Sequence, residues 1–297
     1  MLQSTHARAE STDRTTRYRI EFCRHAEPGQ DVLLEFLDPA PAAAVSTAEA
    51  VDTIRPPARR VGRAERVPPS AAPPPAEGLE VLVVVGGPQD ETRWRKELRD
   101  WVGSGETRAV SVKVRDVLAW WGPGRAAILA PADEIQPALL AVVELAFYET
   151  ELRRLEAETA AAWPEAEQDT PLAYDVTAGD LARQEILGRR TVAVFDRRIR
   201  QARIEPHLRH AAADLPLAAR RLGDLLRRKA RAQERIESLD SKTEVYEYIY
   251  ELASQRMGEY RNSRRERLLE IIIIVILAVE TAAMFIDGFI TWWASPD

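Results

Sequence analysis

The sequence predicts an α+β fold in which a small N-terminal α/β domain is followed by a long α-helical and coiled-coil region and one C-terminal transmembrane helix. Three observations predict it. Short apolar runs alternate with helical patterns over residues 79–162. A seven-residue apolar repeat begins at Leu215, and a long apolar segment occupies residues 268–293.

Composition excludes several classes of protein. The 297-residue chain has a net charge of -6, which gives no overall sign of nucleic-acid binding. Cys23 is the only cysteine, which excludes a disulfide framework and a thiolate metal site and fits a reducing compartment. Residues 1–17 lack the apolar core of a secretory signal, so we expect none.

Residues 1–37 are predicted to hold a β-hairpin. Tyr18, Ile20 and Phe22 alternate with polar residues, residues 31–37 form a second apolar run, and residues 27–30 between them are typical of a turn. Residues 38–78 are predicted to be a linker, because proline this dense removes backbone donors and favours an extended chain.

Residues 79–162 are predicted to form the small α/β domain. The expected elements are strands at 80–85, 109–114 and 126–129, a helix after Asp90, a short helix at 117–121, and a long helix from Asp133 to Ala162 that stops before Trp163-Pro164.

The Gly86-Gly87 turn after the first strand raises an alternative function. A glycine turn at a helix start can hold a phosphate, so residues 79–162 could form a membrane-anchored enzyme or nucleotide sensor. However, Pro88 removes one amide, and the chain has no GxGxxG or GxxxxGK[ST] motif. A structural turn is therefore the favoured interpretation.

The chain from Thr177 onward reads as helical, with breaks expected near Gly188 and Pro206. Residues 163–240 form a basic helical region, and residues 241–267 form a helical stalk. Ser241 and Glu244 match a capping box, so a new helix is expected near Lys242 after a joint at Asp240-Ser241. The repeat predicts a coiled-coil hairpin or bundle through Leu215, Ala218, Leu222, Leu225, Lys229, Ala232, Ile236 and Leu239, and less regularly through Thr243, Tyr246, Tyr250, Ala253, Met257 and Tyr260.

Few residues are candidates for chemistry. His207 and His210 are three apart and could share a metal, but no further ligand is apparent and surface histidines are favoured. No nucleophile–base motif occurs. We therefore predict no catalytic residue, no metal site and no cofactor.

Basic residues are concentrated in residues 183–235, where fifteen Lys and Arg stand against six Asp and Glu. Such a block could meet RNA, a ribosome or anionic lipid, or it could pack against the acidic helix 144–158 of the same chain, which is slightly favoured. The candidate patch for an anionic partner comprises Arg220, Arg221, Arg227, Arg228, Lys229 and Arg231.

The apolar segment 268–293 is long enough to cross a bilayer. The alternative is a buried helix of a large soluble core. Basic residues lie only on its N-terminal side, so the positive-inside rule predicts that residues 1–267 lie in the cytoplasm or an equivalent compartment. We therefore predict a single-pass protein of an inner membrane, bacterial rather than mitochondrial. The anchor residues are Leu268, Ile271, Ile274, Leu277, Phe285, Trp292 and Trp293, and the basic residues are Arg261, Arg264, Arg265 and Arg267.

Two carboxylates interrupt the apolar segment. Glu280 and Asp287 are seven apart and share a helix face, and a charge within a bilayer usually faces protein. Ala278 and Ala282 could let a second helix approach. The pattern predicts a homo-oligomer or a membrane-protein partner, although Asp287 could simply reach the far interface.

The junction LLEIIIIVILAVE, residues 268–280, resembles the C-terminal end of the required-for-meiotic-nuclear-division family, also called domain of unknown function 155. Leu269-Glu270 and Glu280 match that family in kind, whereas Ile271 stands where the family tends to have tryptophan and the last residues are extra. The resemblance covers about the last fifth of the chain. It implies a cytoplasmic or matrix domain on a C-terminal anchor and, for mitochondrial members, support of translation at the inner membrane.

These observations together predict a non-enzymatic scaffold or tether that is anchored at its C-terminus, binds membrane lipid and oligomerises. Docking of a ribosome, RNA or another protein complex is a variant of this function. The membrane-anchored enzyme or nucleotide sensor is the alternative.

Overall fold

The computed structural model describes residues 14–23, 32–37, 59–66, 78–103 and 109–293. In the last helix, side chains are described as far as Met284. The strands are β1 (Thr15–Cys23), β2 (Val32–Leu37), β3 (Arg59–Arg66), β4 (Gly78–Val85), β5 (Val110–Val114), β6 (Val117–Gly122) and β7 (Arg125–Ala130). The helices are α1 (Glu91–Val102), α2 (Ile135–Asp169), α3 (Gln184–Arg209), α4 (Leu217–Lys229) and α5 (Ala232–Trp293).

The α+β class is confirmed, because one N-terminal sheet precedes the long helices. The chain divides into a first unit, Met1–Ala161 with Phe195–Thr243, and a second unit, Ala162–Val194 with Glu244–Asp297. Each unit is described by itself below.

The first unit contains a seven-stranded sheet in the order β2-β3-β1-β4-β7-β6-β5. Strands β4 and β7 are parallel, and the other neighbours are antiparallel. Alternate residues of β4 have their side chains on opposite faces of the sheet. Val81 and Val83 pack into the core that contains Leu139 of α2, and Val84 packs with Leu98 of α1. This alternation follows from the two-residue period of a strand.

The predicted hairpin is wrong. Strand β2 pairs with β3, and β3 lies between β2 and β1. Strand β3 also interrupts the predicted linker at residues 59–66. Its sequence, RRVGRAER, offers few apolar side chains and follows a proline pair, so periodicity gave no signal for it. The predicted turn at residues 27–30 and the rest of the predicted linker lie outside the described residues.

Residues 117–121 form a strand rather than the predicted short helix. Trp121 and Ala119 belong to the core on the α2 side of the sheet, whereas Trp120 and Leu118 belong to the core on the α1 side. Because β6 is covered on both faces, its sequence is a continuous apolar run without alternation, and periodicity cannot separate such a strand from a helix.

Three helix boundaries also differ from prediction. Helix α2 continues past Trp163-Pro164 to Asp169, and α3 passes Gly188 and Pro206 without a break. Tertiary packing beyond each proline holds the helix, since Ala166 and Leu208 are buried after Pro164 and Pro206.

The joint predicted at Asp240-Ser241 lies instead at Ala230-Arg231, where Arg231 adopts a φ of 55°. Ser241 does not cap a helix, because its hydroxyl donates to the Glu237 carbonyl at 3.2 Å within α5. The Ser241–Glu244 pattern therefore lies inside a helix and does not mark the start of one.

The seven-residue repeat is buried within the chain. Leu222, Ile236 and Leu239 lie in the main core of the first unit, and Tyr246, Tyr250 and Met257 lie in the core of the second. Lys229, an expected core position, is exposed beside the joint. The helical hairpin expected from the repeat therefore packs against other segments of the same chain.

The second unit has a buried charge at its centre. Asp169 is fully buried, accepts hydrogen bonds from Arg183 at 2.6 Å and from Arg190, and lies 3.5 Å from the Tyr250 hydroxyl. A buried carboxylate needs such donors, because removing it from water is costly. These contacts connect the end of α2 to α3 and to α5.

The first prediction concerns the core between the sheet and α2. Phe147 is 1% exposed and stacks on Phe36 with ring centroids 4.2 Å apart. Phe147→Ala should lower the free energy of unfolding by about 3–5 kcal/mol, because it leaves a cavity. Urea denaturation of the full chain measures this. The control Tyr174→Ala removes a ring that is 73% exposed and should change stability by less than about 0.5 kcal/mol. Equal changes in the free energy of unfolding for the two variants would contradict the packing of Phe147 in this core.

Candidate membrane anchor and charged helical surface

The C-terminal part of α5 is exposed on all sides. Every residue from 261 to 284 is exposed, including the nine consecutive apolar residues Ile271–Val279. Ile271 is 61% exposed and Ile273 is 56% exposed, although they lie on nearly opposite faces of the helix. An apolar surface that surrounds a helix without being buried is unusual for a soluble protein, and large exposed apolar surfaces mark membrane or protein contacts.

The predicted anchor residues Leu268, Ile271, Ile274 and Leu277 lie on this exposed surface. Phe285, Trp292 and Trp293, and also Asp287, have side chains outside the described residues. Within the part of the chain that the structure describes, no helix is both long enough and apolar enough to cross a membrane.

Polar residues frame the apolar run. Arg261, Arg264, Arg265 and Arg267 are all exposed on the preceding turns of the same helix. After the run, Glu280 is exposed, and Thr281 donates its hydroxyl to the Leu277 carbonyl at 2.7 Å. The Thr281 hydroxyl is thus satisfied within its own helix, whereas in an apolar medium the exposed Glu280 carboxylate would need a partner from outside the helix.

The basic helical region pairs with the acidic helix, as the favoured interpretation predicts. Arg235 of α5 contacts both Glu149 and Glu156 of α2 at 2.6 Å. Arg200 of α3 forms an ion pair with Glu158 of α2. Several arginines of the basic block are therefore neutralised by carboxylates of the same chain.

The most deeply buried of these pairs joins α4 to α2. Arg227 and Glu144 have side chains 2% and 4% exposed, with Nη2 and Oε2 3.0 Å apart. Arg227 Nε also donates to the His207 carbonyl at 2.7 Å, and the Ala212 N–H donates to Glu144 Oε2 at 3.2 Å. Gly223 makes room for the guanidinium, since a Cβ there would lie 2.7 Å from Arg227 Nη1.

The six residues of the predicted anionic-partner patch do not form one surface. Arg227 is buried, and Arg220 donates to the carbonyls of Ala213 and Leu215. Arg221, Arg228 and Lys229 are exposed, and Arg231 is exposed but contacts Glu234 at 2.7 Å. Arg228 and Arg231 line a cavity of about 180 Å³ that Glu234 and Glu237 also line. The patch is smaller and less positive than the sequence indicates.

Burial and pairing shift the pKa values of these carboxyl groups in opposite directions. Burial raises the pKa of Glu149 despite its contacts with Arg153 and Arg235. Burial also acts to raise the pKa of Glu158, but the hydrogen bonds and charge interactions with Arg200 and Arg154 together outweigh it, and the pKa is lowered. Burial opposes the charge of Arg235, yet its bonds to Glu156 and Glu149 raise its pKa.

The remaining candidates have structural partners. The Gly87 N–H donates to Asp90 Oδ2 at 3.1 Å, so a carboxylate of the same turn occupies the place that a phosphate would need. The ring of His207 stacks on Tyr148 at 4.2 Å. Among the described residues, no group of three or more His, Cys, Asp and Glu side chains could hold a metal ion.

Sequence reasoning missed the individual partners Glu144 and Arg235, and it missed the Asp169 cluster. The sequence of α2 contained one signal for these partners, because it combines many glutamates with many apolar residues. Glutamates on the buried side of such a helix need to pair with cations.

No model of a known protein family matches the sequence, and no curated protein is significantly similar to it.

The second prediction tests the buried pair. Arg227→Met should cost about 3–5 kcal/mol of folding stability, because Glu144 is left buried without its cation. The double variant Arg227→Met/Glu144→Gln should recover much of the loss, since no uncompensated charge remains. Arg228→Met is the matched control and should change stability by less than about 0.5 kcal/mol. Urea denaturation of the four proteins gives the result, and failure of the double variant to recover would argue against the charge effect.

The third prediction concerns pH. Burial lowers the pKa of His207 below its usual 6.5; Glu144 nearby acts to raise it and Arg227 acts to lower it. The folded state therefore favours the neutral ring, and this contribution to stability is present above the unfolded pKa and is lost as the pH falls. The unfolding free energy should decrease from pH 7 toward pH 5, and His207→Phe, which keeps the ring stacking, should reduce that decrease. An unchanged pH profile in His207→Phe would contradict the prediction.

Proposed function

We propose that the protein is a non-enzymatic scaffold or tether that the C-terminal part of α5 anchors in an inner membrane. The observation that carries the proposal is the exposed apolar surface over residues 268–284. Burying a large apolar side chain is worth roughly 1.5–3 kcal/mol, so a bilayer would stabilise this surface strongly. The alternative of a buried helix in a soluble core fits poorly, since these residues are exposed on all faces.

Orientation follows from charge. The four arginines Arg261, Arg264, Arg265 and Arg267 precede the apolar run, and the positive-inside rule would keep them and the folded units on the cytoplasmic side. The same arginines are placed to meet anionic lipid headgroups, each worth about 1 kcal/mol near a charged surface. A scaffold role for the folded units is supported by the use of their buried charges in structural pairs.

We also propose that Glu280 binds a protein partner within the bilayer, either a second copy or another membrane protein. A carboxylate at this depth is costly when it faces lipid. A variant of this proposal is that exposed cations such as Arg221, Arg228 and Lys229 bind an RNA, a ribosome or another complex. The family resemblance is consistent with this variant.

The fourth prediction tests the anchor. Ile274→Arg together with Leu277→Arg should abolish membrane integration, because each central arginine costs about 2.5–3.5 kcal/mol of insertion. Asn262→Arg together with Ser263→Arg adds the same charge next to the existing arginines and should leave integration unchanged. Resistance of the full chain to alkaline carbonate extraction is the measurement.

A reporter fused after Asp297 should also lie on the membrane side opposite the N-terminus. A wild-type chain that carbonate extracts completely, or a reporter on the same side as the N-terminus, would overturn the proposal.

A further inference from the structure

Helix α3 carries an apolar stripe that is exposed. Within the first unit, Phe195 is 54% and Ile199 is 43% exposed, and Ala202 and Pro206 are also exposed. These residues are four, three and four positions apart, so they follow one face of the helix over about 17 Å. The opposite face is buried, for example at Ile204. Single exposed apolar residues are ordinary, but four in a row form a surface that another segment can cover.

One long stretch of the chain leaves the sheet and returns to it at a single point. Residues 38–58 connect β2 to β3, and Leu37 pairs with Arg59 where the two strands meet. These 21 residues are the longest stretch between two described parts of the chain. Because an extended residue spans about 3.3–3.6 Å, such a stretch can reach roughly 35 Å outward and still return.

The point where this stretch begins lies next to the C-terminal half of α3. Phe36 packs edge-on against Tyr148 of α2 with ring centroids 5.9 Å apart, and the Tyr148 ring stacks on His207 of α3 at 4.2 Å. His207 directly follows Pro206, the last residue of the stripe. Residues 38–58 are therefore tethered at both ends close to one end of the stripe.

The sequence of the stretch suits an apolar surface. Residues 42–54, AAAVSTAEAVDTI, contain neither proline nor glycine, although two prolines precede them and two follow. Apolar residues recur there at every third position, at Val45, Ala48, Val51 and Ile54. In a helical conformation thirteen residues would span about 20 Å, which is close to the length of the stripe.

We propose that residues 42–54 pack along the α3 stripe of the same chain and bury Phe195 and Ile199. The contact needs little intrinsic affinity, because a short tether holds the segment at a millimolar effective concentration. With a dissociation constant of about 0.1 mM, the contact would be formed in roughly nine of ten molecules. It does not depend on the membrane anchor, since the stripe and both tether points belong to the first unit.

Thiol labelling of the full chain in detergent, with the change Cys23→Ser, tests the contact. Ala202→Cys places a thiol in the stripe, and the control Ala157→Cys places one at an exposed position of α2. Replacing residues 42–54 with a Gly/Ser sequence of equal length should speed maleimide labelling of the Ala202→Cys chain roughly tenfold, because the stripe is uncovered. Labelling of the Ala157→Cys chain should not change. Equal labelling of the Ala202→Cys chain with and without the native segment would overturn the proposal.

Proximity provides an independent measurement. Ala48→Cys is combined with Ala202→Cys or with Ala157→Cys, and each chain is treated with a short bis-maleimide. Ala157 follows Glu151 by six positions, and Glu151 Oε1 accepts a hydrogen bond from Arg60 Nη1 at 3.1 Å, so a segment that does not dock would reach both sites. Docking predicts a crosslink within one chain for the Ala202→Cys combination and much less for the other. Similar yields for the two combinations would contradict docking.

Changes within the segment identify its apolar side. Val45→Asp together with Val51→Asp should speed labelling of the Ala202→Cys chain as much as the Gly/Ser replacement does, because burying a carboxylate without a partner is costly. Ser46→Asp together with Thr53→Asp adds the same charge between the apolar positions and should leave labelling slow.

Two other occupants of the stripe would give different results. Protection that persists after the Gly/Ser replacement and increases with protein concentration would assign the stripe to a second copy of the chain. Protection that is found in bilayers but not in detergent would assign it to lipid. Either result would overturn the proposal.

Discussion

The first unit depends on pairing between the carboxylates of α2 and arginines that come later in the chain. Glu144 forms an ion pair with Arg227 of α4, Glu149 and Glu156 form ion pairs with Arg235 of α5, and Glu158 forms one with Arg200 of α3. An isolated charge as buried as that of Glu144 or Glu149 would cost several kcal/mol, so these two pairs favour one packing of α4 and of α5 on α2. Glu156 and Glu158 are about a third exposed, so their pairs contribute less. Apolar side chains of the sheet pack against α2, and these ion pairs add contacts that join α3, α4 and α5 to α2.

Parts of the sheet were predictable because their residues are uniformly apolar and end at glycine. Strand β4 and the helix after Asp90 follow from EVLVVV, the glycine pair and the spacing of Trp94, Leu98 and Val102. Strand β3 was not predictable, because five of its eight residues are charged and its neighbours decide its pairing. Strand β6 was mistaken for a helix since burial on both faces removes the alternation on which recognition depends.

The charged helical surface, like the sheet, could be predicted only in part from the sequence. Net charge by segment was enough to pair the basic region with α2, but it could not identify Arg227 as buried, because burial depends on the phase of α4 and on the space at Gly223. The continuity of α3 was missed because a break was expected at Pro206. A proline that faces away from the core leaves packing on the other side intact, so the helix continues past it to Arg209.

Helix α5 runs unbroken from Ala232 to Trp293, a rise of roughly 93 Å. Within the second unit, Tyr250 and Met257 fix its rotation about its own axis, and the exposed turns that follow transmit that angle to Glu280. Each added residue turns a helix by about 100°, so one insertion after Met257 would point Glu280 elsewhere, while seven would turn it by only about 20°. The arginine-rich turns can therefore change in composition far more freely than in length. In this stretch the number of residues sets a rotational phase.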